Sequence, residues 1–386
     1  MGGTRKPEGI LPDHHLKRLI AEKVISADLP IEDGQIQPAS LDLRLGTKAY
    51  RLRSSFHPER SELNALDLYK SDFVDLIMYE IDLEKGAVLE KGHVYLVPLL
   101  ERLRLPKSIR GRANPKSSTG RLDILTRMIT DVNVGFDEVR SGYCGPLYLE
   151  IVPLSFTIRV QTGLTLNQLR LITGRGSPAV SYSKLRTLYR EENLLYDNND
   201  LNRSVPLTLR KIRVDNGLFL GIDLQGDSAS NSLIGYRAKR NSQVIDLSKS
   251  SYYAAQDFWE PIYRHASDSL ILEPQEFYIL ASKERIKVPA GYATEMVAYE
   301  GMCGELRTHY AGFFDPGFGA GDGPRKGTQV VLEVRPHDVP FLIHDGQTFF
   351  KVVYEHMLDL PERLYGASIG SSYHQQGLTL SKHFKW

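Results

Sequence analysis

The chain has 386 residues, too many for one typical domain and suited to two, and its 41% hydrophobic content can fill two modest cores. A net charge of +1 supplies no overall field to draw the chain onto nucleic acid or an anionic membrane, though a local anion site remains open. Two cysteines, Cys144 and Cys303, exclude a disulfide framework or a cysteine-rich zinc site. No apolar run suggests a signal core or a bilayer span, so a cytoplasmic protein is the expectation.

In chain order, Pro12–Ile25 reads as a short amphipathic helix. Asp13 is placed as N-cap, with Leu16, Leu19, Ile20 and Val24 on one face. The segment "IQPASLDLRLG" (Ile36–Gly46) alternates Leu41, Leu43 and Leu45 with Asp42 and Arg44, a strand pattern. From Leu89 to Thr173, short strands are separated by Gly and Pro. Ser181–Tyr196 reads as a helix or an extended arm, and Tyr196–Ser204 as a polar linker. Strands resume from Leu207 to Leu358. The Gly- and Ser-rich tail Leu364–Trp386 has the composition of a segment that orders over a ligand. The reading is therefore mainly β with short helices, a barrel or sandwich in each half, divided into residues 1–200 and 201–386.

The chain also contains one unit twice. "HVYLVPLLERLRLP" (His93–Pro106) reappears as "EFYILASKERIKVP" (Glu276–Pro289), and "LEIVPLSFTIRVQTG" (Leu149–Gly163) as "LEVRPHDVPFLIHDG" (Leu332–Gly346). Residue numbers differ by 183 in both pairs, which marks a tandem duplication. The copies keep different polar residues. "KSSTGR" (Lys116–Arg121) in the first faces "YEGMCG" (Tyr299–Gly304) in the second. "FFDPGF" (Phe313–Phe318) in the second has nothing close in the first.

Consecutive hydroxyls, a glycine and two cations in "KSSTGR" suit a phosphate, since guanidinium, hydroxyl and backbone N–H all donate to it. The alternative is an ordinary Ser/Thr turn with solvated cations. It is not a Walker A loop, because Pro115 occupies the second glycine position. "GFGAGDGP" (Gly317–Pro324) precedes a strand and lacks a βαβ setting, so it reads as a Gly-rich hairpin. Glu150 and Glu333 share one repeat position inside apolar strands. Desolvation there would raise their pKa toward proton-transfer use; a carboxylate on a polar strand face is the alternative. "DHH" (Asp13–His15) reads as a helix cap with solvated imidazoles. The H-x-E and P-C-x-x-C ligands of zinc deaminases do not occur.

Together these motifs resemble the dCTP deaminase family of the dUTPase-like β-clip superfamily. "IQPASLDLRLG" is similar to its N-terminal strand signature and "KSSTGR" to its RSSxxR phosphate motif, with Lys116 for the first Arg. "AGFFDPGF" (Ala311–Phe318) is similar to A-x-x-I-D-P-G-W, "LYLEI" and "VVLEV" to the catalytic Glu strand, and "YHQQG" (Tyr373–Gly377) to the closing tail. The resemblance implies two tandem β-clip domains, a distorted β-barrel each, and metal-free deamination of dCTP to dUTP and ammonia. It implies Glu333 as general base, with Glu150 as its counterpart, and Ser117 orienting the water or the amine. Lys116, Ser117, Ser118 and Arg121 would hold the triphosphate, whose counter-ion is Mg²⁺. Asp315 and Val331 would contact sugar and base, and Tyr365, Gln375 and Gln376 would close the site. In that family the site is shared between neighbouring units of a trimer, so a homo-oligomer is implied, with dTTP or dUTP as candidate regulator. The alternatives are a dUTPase or bifunctional enzyme giving dUMP, and a non-catalytic nucleotide sensor.

Overall fold

The computed structural model describes residues 8–56, 76–131, 135–198, 205–226, 232–298, 306–308, 312–321, 326–366, 369–373 and 376–385. The chain divides into two compact units. Unit 1 comprises residues 1–178, 241–250 and 357–362; unit 2 comprises 179–240, 251–356 and 363–386. The sequence division at residue 200 differs from this. Helix Tyr182–Glu192 buries Leu185, Leu188 and Tyr189 in the core of unit 2, which moves the boundary to Pro178/Ala179. The expected linker begins as a strand, Leu195–Asp197, paired with Tyr278–Ile286. Residues 199–204 lie outside the described residues.

In unit 1 the first helix, α1 (Asp13–Ala21), is capped one residue earlier than expected. Pro12 is its N-cap, and Asp13 is the first helical residue. The Asp13 carboxylate is buried and accepts from the N–H of His14 (3.0 Å) and of Glu362 (2.9 Å). The helix stops at Ala21, because Lys23 takes a left-handed backbone conformation and Ile25–Ala27 is a strand. One sheet carries β1 (Leu41–Arg44), and the next strands of the unit are β2 (Ala87–Leu89), β3 (Val94–Arg104) and β4 (Ile109–Pro115). A single helical turn, α2 (Ser117–Gly120), follows β4. Then come β5 (Ile124–Thr130), β6 (Glu138–Val139), β7 (Cys144–Pro153), β8 (Ile158–Val160) and β9 (Thr165–Thr173). Strands β1, β4, β6 and β9 form one sheet; β3, β5 and β7 belong to a second; β2 and β8 belong to a third. The alternation expected at Leu41–Leu45 has both faces buried. The leucines are inaccessible, while Asp42 and Arg44 are buried in a polar network. Glu101 accepts from the N–H (2.8 Å) and Nε (2.8 Å) of Arg44, and Arg44 also donates to the carbonyls of Leu29 and Pro30. A buried carboxylate is retained at such a place only when it is paired.

Unit 2 repeats the plan. Strand β10 (Leu218–Gly221) is followed by β11 (Ser269–Leu272), β12 (Tyr278–Ile286), β13 (Tyr292–Ala298) and β14 (Phe313–Phe314). The last three are β15 (Thr328–Pro336), β16 (Phe341–His344) and β17 (Thr348–His356). Its sheets match those of unit 1: β10, β13, β14 and β17; then β12 with β15; then β11 with β16. The registers coincide as well. Glu150 lies opposite Leu96, and Glu333 opposite Ile279. Val330, Leu332 and Val334 point into the core with Leu280, Ile286 and Tyr354. Side chains alternate along a strand, so Gln329, Val331 and Glu333 share the opposite face. The tail is anchored at its far end, where Phe384 lies 5.4 Å from the Phe258 ring and 6.0 Å from Trp259.

Candidate active site

The phosphate-motif residues sit on α2 and its flanks. Lys116 N–H donates to the Leu166 carbonyl (3.0 Å), and Thr119 Oγ1 donates to the same carbonyl (2.8 Å). These bonds hold the turn to β9. Ser118 and Arg121 are buried. The Lys116 ammonium is bound to the Asp42 carboxylate and lies 3.2 Å from Thr165 Oγ1. The Asp of the "SLDLRLG" signature thus anchors the lysine of "KSSTGR", a pairing that the sequence reading missed. Opposite charges at two motif positions were the signal available for it.

Glu150 is buried on β7 and closed off within unit 1. Its Oε1 accepts from Arg127 Nε (2.8 Å) and its Oε2 from Ser55 Oγ (2.9 Å). Arg127 also donates to Ser55 Oγ (2.6 Å), and its guanidinium lies 4.0 Å from the centre of the Phe136 ring. Arg127 sits directly across the strand pair from Glu150. Nearby, burial pushes the Asp137 carboxyl up to about 7, although its Oδ1 accepts the Met128 N–H at 2.7 Å.

In unit 2, Glu333 is 2% exposed on β15. Its face also carries Val331 and Gln329, both buried. Gln376 Nε2 donates to the Gln329 carbonyl (3.3 Å), so the tail meets the strand that carries Glu333. Gln329 was missed, although it falls four residues before Glu333 on an alternating strand. Asp315, also buried, ends β14 and opens a turn closed by Phe318 N–H on the Asp315 carbonyl (3.1 Å). Gly317 has φ +96°, and a Cβ there would meet Leu364 Cβ at 2.9 Å, so glycine is required. Tyr365 N–H donates to the Pro316 carbonyl (2.8 Å), and its ring lies 5.5 Å from that of Phe318. Its hydroxyl accepts the Tyr373 N–H at 3.3 Å. The D-P-G turn, Tyr365 and the start of the tail are therefore one assembly. Gln375 lies outside the described residues.

The first copy does have a counterpart to the D-P-G turn. Glu138 and Val139 pair with Arg112 and Gly111, as Phe313 and Phe314 pair with Glu295 and Thr294. The bond from Leu105 N–H to Tyr143 O (2.7 Å) matches that from Val288 N–H to Phe318 O (2.8 Å). Arg140-Ser141-Gly142 thus occupies the place of Asp315-Pro316-Gly317, with Gly142 also left-handed at φ +77°. The backbone turn is kept and the aspartate is replaced by arginine.

The imidazoles of "DHH" are not both solvated. His15 Nε2 lies 2.8 Å from Asp359 Oδ2, and Arg18 Nη2 donates to His15 Nδ1 at 3.1 Å. That donation leaves Nε2 carrying the proton, so it donates to Asp359. His14, His15 and Asp359 approach closely enough for a cation by distance alone, but here His15 and Asp359 form a hydrogen-bonded staple. Among the described residues no helix is long and apolar enough to cross a membrane.

The domain models of 2'-deoxycytidine 5'-triphosphate deaminase match the chain in order, the N-terminal domain over residues 7–175 and the C-terminal domain over 183–384. The crystal structure of 2'-deoxycytidine 5'-triphosphate deaminase from Agrobacterium tumefaciens is 44% identical. It covers 92% of this chain and 100% of its own, with a TM-score of 0.82. Curated relatives match over less than half of the chain. A protein from Sulfurihydrogenibium sp. is 29% identical over 161 residues, 42% of this chain and 81% of the relative. One from Coprothermobacter proteolyticus is 34% identical over 150 residues, 37% and 69% respectively. Both are named dCTP deaminase, dUMP-forming. The chain belongs to the dCTP deaminase family. It is a double-length member, with a mainly β, dUTPase-like unit in each half.

Proposed function

We propose that the chain hydrolyses the cytosine amine of dCTP, with Glu333 as general base. The observation that carries this reading is the ordered match of both deaminase domain models, joined by 44% identity to a dCTP deaminase across nearly the whole chain. The choice between carboxylates rests on their settings. Glu150 is held by Arg127 and Ser55 within unit 1, and Glu333 is buried on the strand that the tail meets at the Gln329 carbonyl. Glu333 takes a proton from water as the water oxygen attacks C4 of cytosine. It then delivers that proton toward N3 or the departing amine, so that ammonia leaves and a C4 carbonyl remains. Ser117 orients the water or the amine. Ser118 and Arg121 hold the triphosphate, and Lys116, tied to Asp42, fixes their turn. Mg²⁺ travels with the triphosphate as part of the substrate. Asp315 and Val331 meet the sugar and base, and Tyr365, Gln375 and Gln376 close over the phosphates and exclude water.

The product is the finer question. The names of the curated relatives conflict with dUTP as end product and favour dUMP, formed when water also attacks the α-phosphate and pyrophosphate leaves. Incubating the full chain with dCTP and Mg²⁺ and separating nucleotides by ion exchange tests both levels. Ammonia with dUTP or dUMP supports deamination, and dUMP with pyrophosphate selects the bifunctional reading. Tight dCTP binding with no product would overturn the enzyme reading.

A further inference from the structure

The end of the chain docks on the sheet face that carries Glu333. Tyr236, Ile279 and Glu333 form one row across three paired strands, and side chains directly opposite one another share a face. Ala238 and Phe277 lie two residues from Tyr236 and Ile279, so they belong to the same face, and Trp259 pairs with Ala238. The Trp259 ring lies 6.5 Å from that of Tyr236 and 6.0 Å from that of Phe277. Phe384 is fully buried against this group, 6.0 Å from Trp259, 5.4 Å from Phe258 and 6.4 Å from Tyr253. Backbone bonds hold it there. Ser251 N–H donates to the Lys382 carbonyl (2.8 Å), Tyr252 N–H to that of His383 (3.0 Å), and Lys385 N–H to that of Tyr253 (2.8 Å).

The closing residues of the tail are tied back to this anchor. Lys382 N–H donates to the Tyr373 hydroxyl (3.1 Å), and Tyr373 N–H donates to the Tyr365 hydroxyl (3.3 Å). Tyr365 in turn packs on Phe318 of the D-P-G turn, and Gln376 reaches the Gln329 carbonyl on β15. The tail is thus a loop fastened at both ends. We propose that Phe384 is a positioning residue for the nucleotide site: its docking fixes the far end of the loop that presents Tyr365 and Gln376 to the triphosphate. The inference rests on the reading of that site as the place where dCTP is deaminated. The triphosphate is remote from C4, so contacts to it are equal in the ground and transition states. Misplacing them raises KM and leaves kcat unchanged.

Three variants of the full chain test this. Phe384→Ala empties the aromatic socket, and Phe384→Leu keeps apolar bulk in it. Lys385→Pro alters an exposed side chain and removes the N–H that the Tyr253 carbonyl accepts, so it carries the test should Phe384→Ala fail to fold. Hydrogen exchange without nucleotide should show the Lys382 and Lys385 amides protected in the wild type, and Lys382 exchanging at least about tenfold faster in Phe384→Ala and Lys385→Pro. In the same two variants KM for dCTP should rise about tenfold, with kcat for ammonia release within about twofold of the wild type and Phe384→Leu close to it in both. Freed amides with an unchanged KM would overturn the proposal, as would wild-type amides that exchange at the rate of an open chain. A fall in kcat and in melting temperature that Phe384→Leu does not mend would assign Phe384 to stability alone and overturn it too. A wild type that releases no ammonia from dCTP would instead overturn the deaminase reading, and calorimetric dCTP affinities of the same proteins then decide the role of Phe384.

Discussion

Arg127 faces Glu150 across two paired strands and binds its carboxylate through Nε at 2.8 Å. That contact makes the first copy's carboxylate the buried half of an ion pair. With Glu333 as the proposed base, the two carboxylates are experimentally distinguishable.

Glu333→Gln is therefore expected to lower the deamination rate by on the order of 10²–10⁴-fold, with dCTP affinity little changed, since the amide keeps the shape but accepts no proton. Glu150→Gln should change the rate far less. Ammonia release and equilibrium binding of dCTP measure the two effects, and a reversed ranking would assign the base to unit 1.

Arg127→Ala should destabilise unit 1 by about 3 kcal/mol, because it leaves Glu150 buried without its cation. The double change Arg127→Leu with Glu150→Leu should cost less than the single one. Denaturant unfolding of the wild type, Arg127→Leu, Glu150→Leu and the double variant gives the coupling. Equal and additive losses would mean that the pair is not an interacting unit.

Arg121→Ala should weaken dCTP binding much more than deoxycytidine binding. A charge-assisted bond to phosphate has no counterpart in the neutral nucleoside. Calorimetry with both ligands separates this from a structural role, which would lower both affinities alike.

Stability should fall as pH rises toward neutrality. In unit 1 the N–H of Arg44 and its guanidinium both serve Glu101; in unit 2 Gly221 replaces the arginine, and only its N–H reaches Glu284, at 2.8 Å. Burial pushes the Glu284 carboxyl up to about 7. The folded state then binds a proton that the unfolded state has released. The stabilisation is complete below the unfolded carboxyl value near 4.5 and is lost as pH rises to about 7. Asp137, also raised to about 7, acts with the same sign in unit 1, from its ordinary 3.8 upward. Glu284→Gln and Asp137→Asn should each flatten the fall of the melting temperature between pH 4.5 and 7. A slope unaltered by either variant would contradict these shifts.

Treatment with o-phenanthroline should leave deamination intact, while removal of Mg²⁺ raises the KM for dCTP. Zinc present in stoichiometric amount, with activity following its removal and return, would place a metal in the chemistry.

The duplication was legible because the strands bearing Glu150 and Glu333 occupy one register, so their sequences align at a fixed separation. The Arg140 turn was not legible for a related reason. Arg140 and Asp315 are 175 residues apart rather than 183, since the second copy is eight residues shorter between β13 and the turn, and the Gly-rich stretch after Phe318 restores those eight before β15. A search at fixed offset passes over a turn whose identity lies in its backbone bonds. Residues 181–196 read as a helix or an extended arm, and the helix 182–192 is fixed by burial of Leu185, Leu188 and Tyr189, whereas the strand at Leu41–Arg44 followed from alternation. The partners of Lys116 and Glu150 did not, because Asp42 and Arg127 meet them through sheet pairing, which local pattern does not encode. Asp13 was misplaced by one residue because Pro12 has the extended backbone that a cap requires.

Residues 241–250 and 357–362 belong to unit 1 although they follow most of unit 2's first strands in the chain. A gene cut between residues 200 and 201 would deprive the first product of the Ile245 strand and of the Asp359 staple on α1. The two halves of the message are thus not interchangeable cassettes. Each stretch of the second copy that completes the first must be inherited together with it, and a truncated transcript yields a first unit whose third sheet lacks the Ile245–Asp246 strand that pairs with β8.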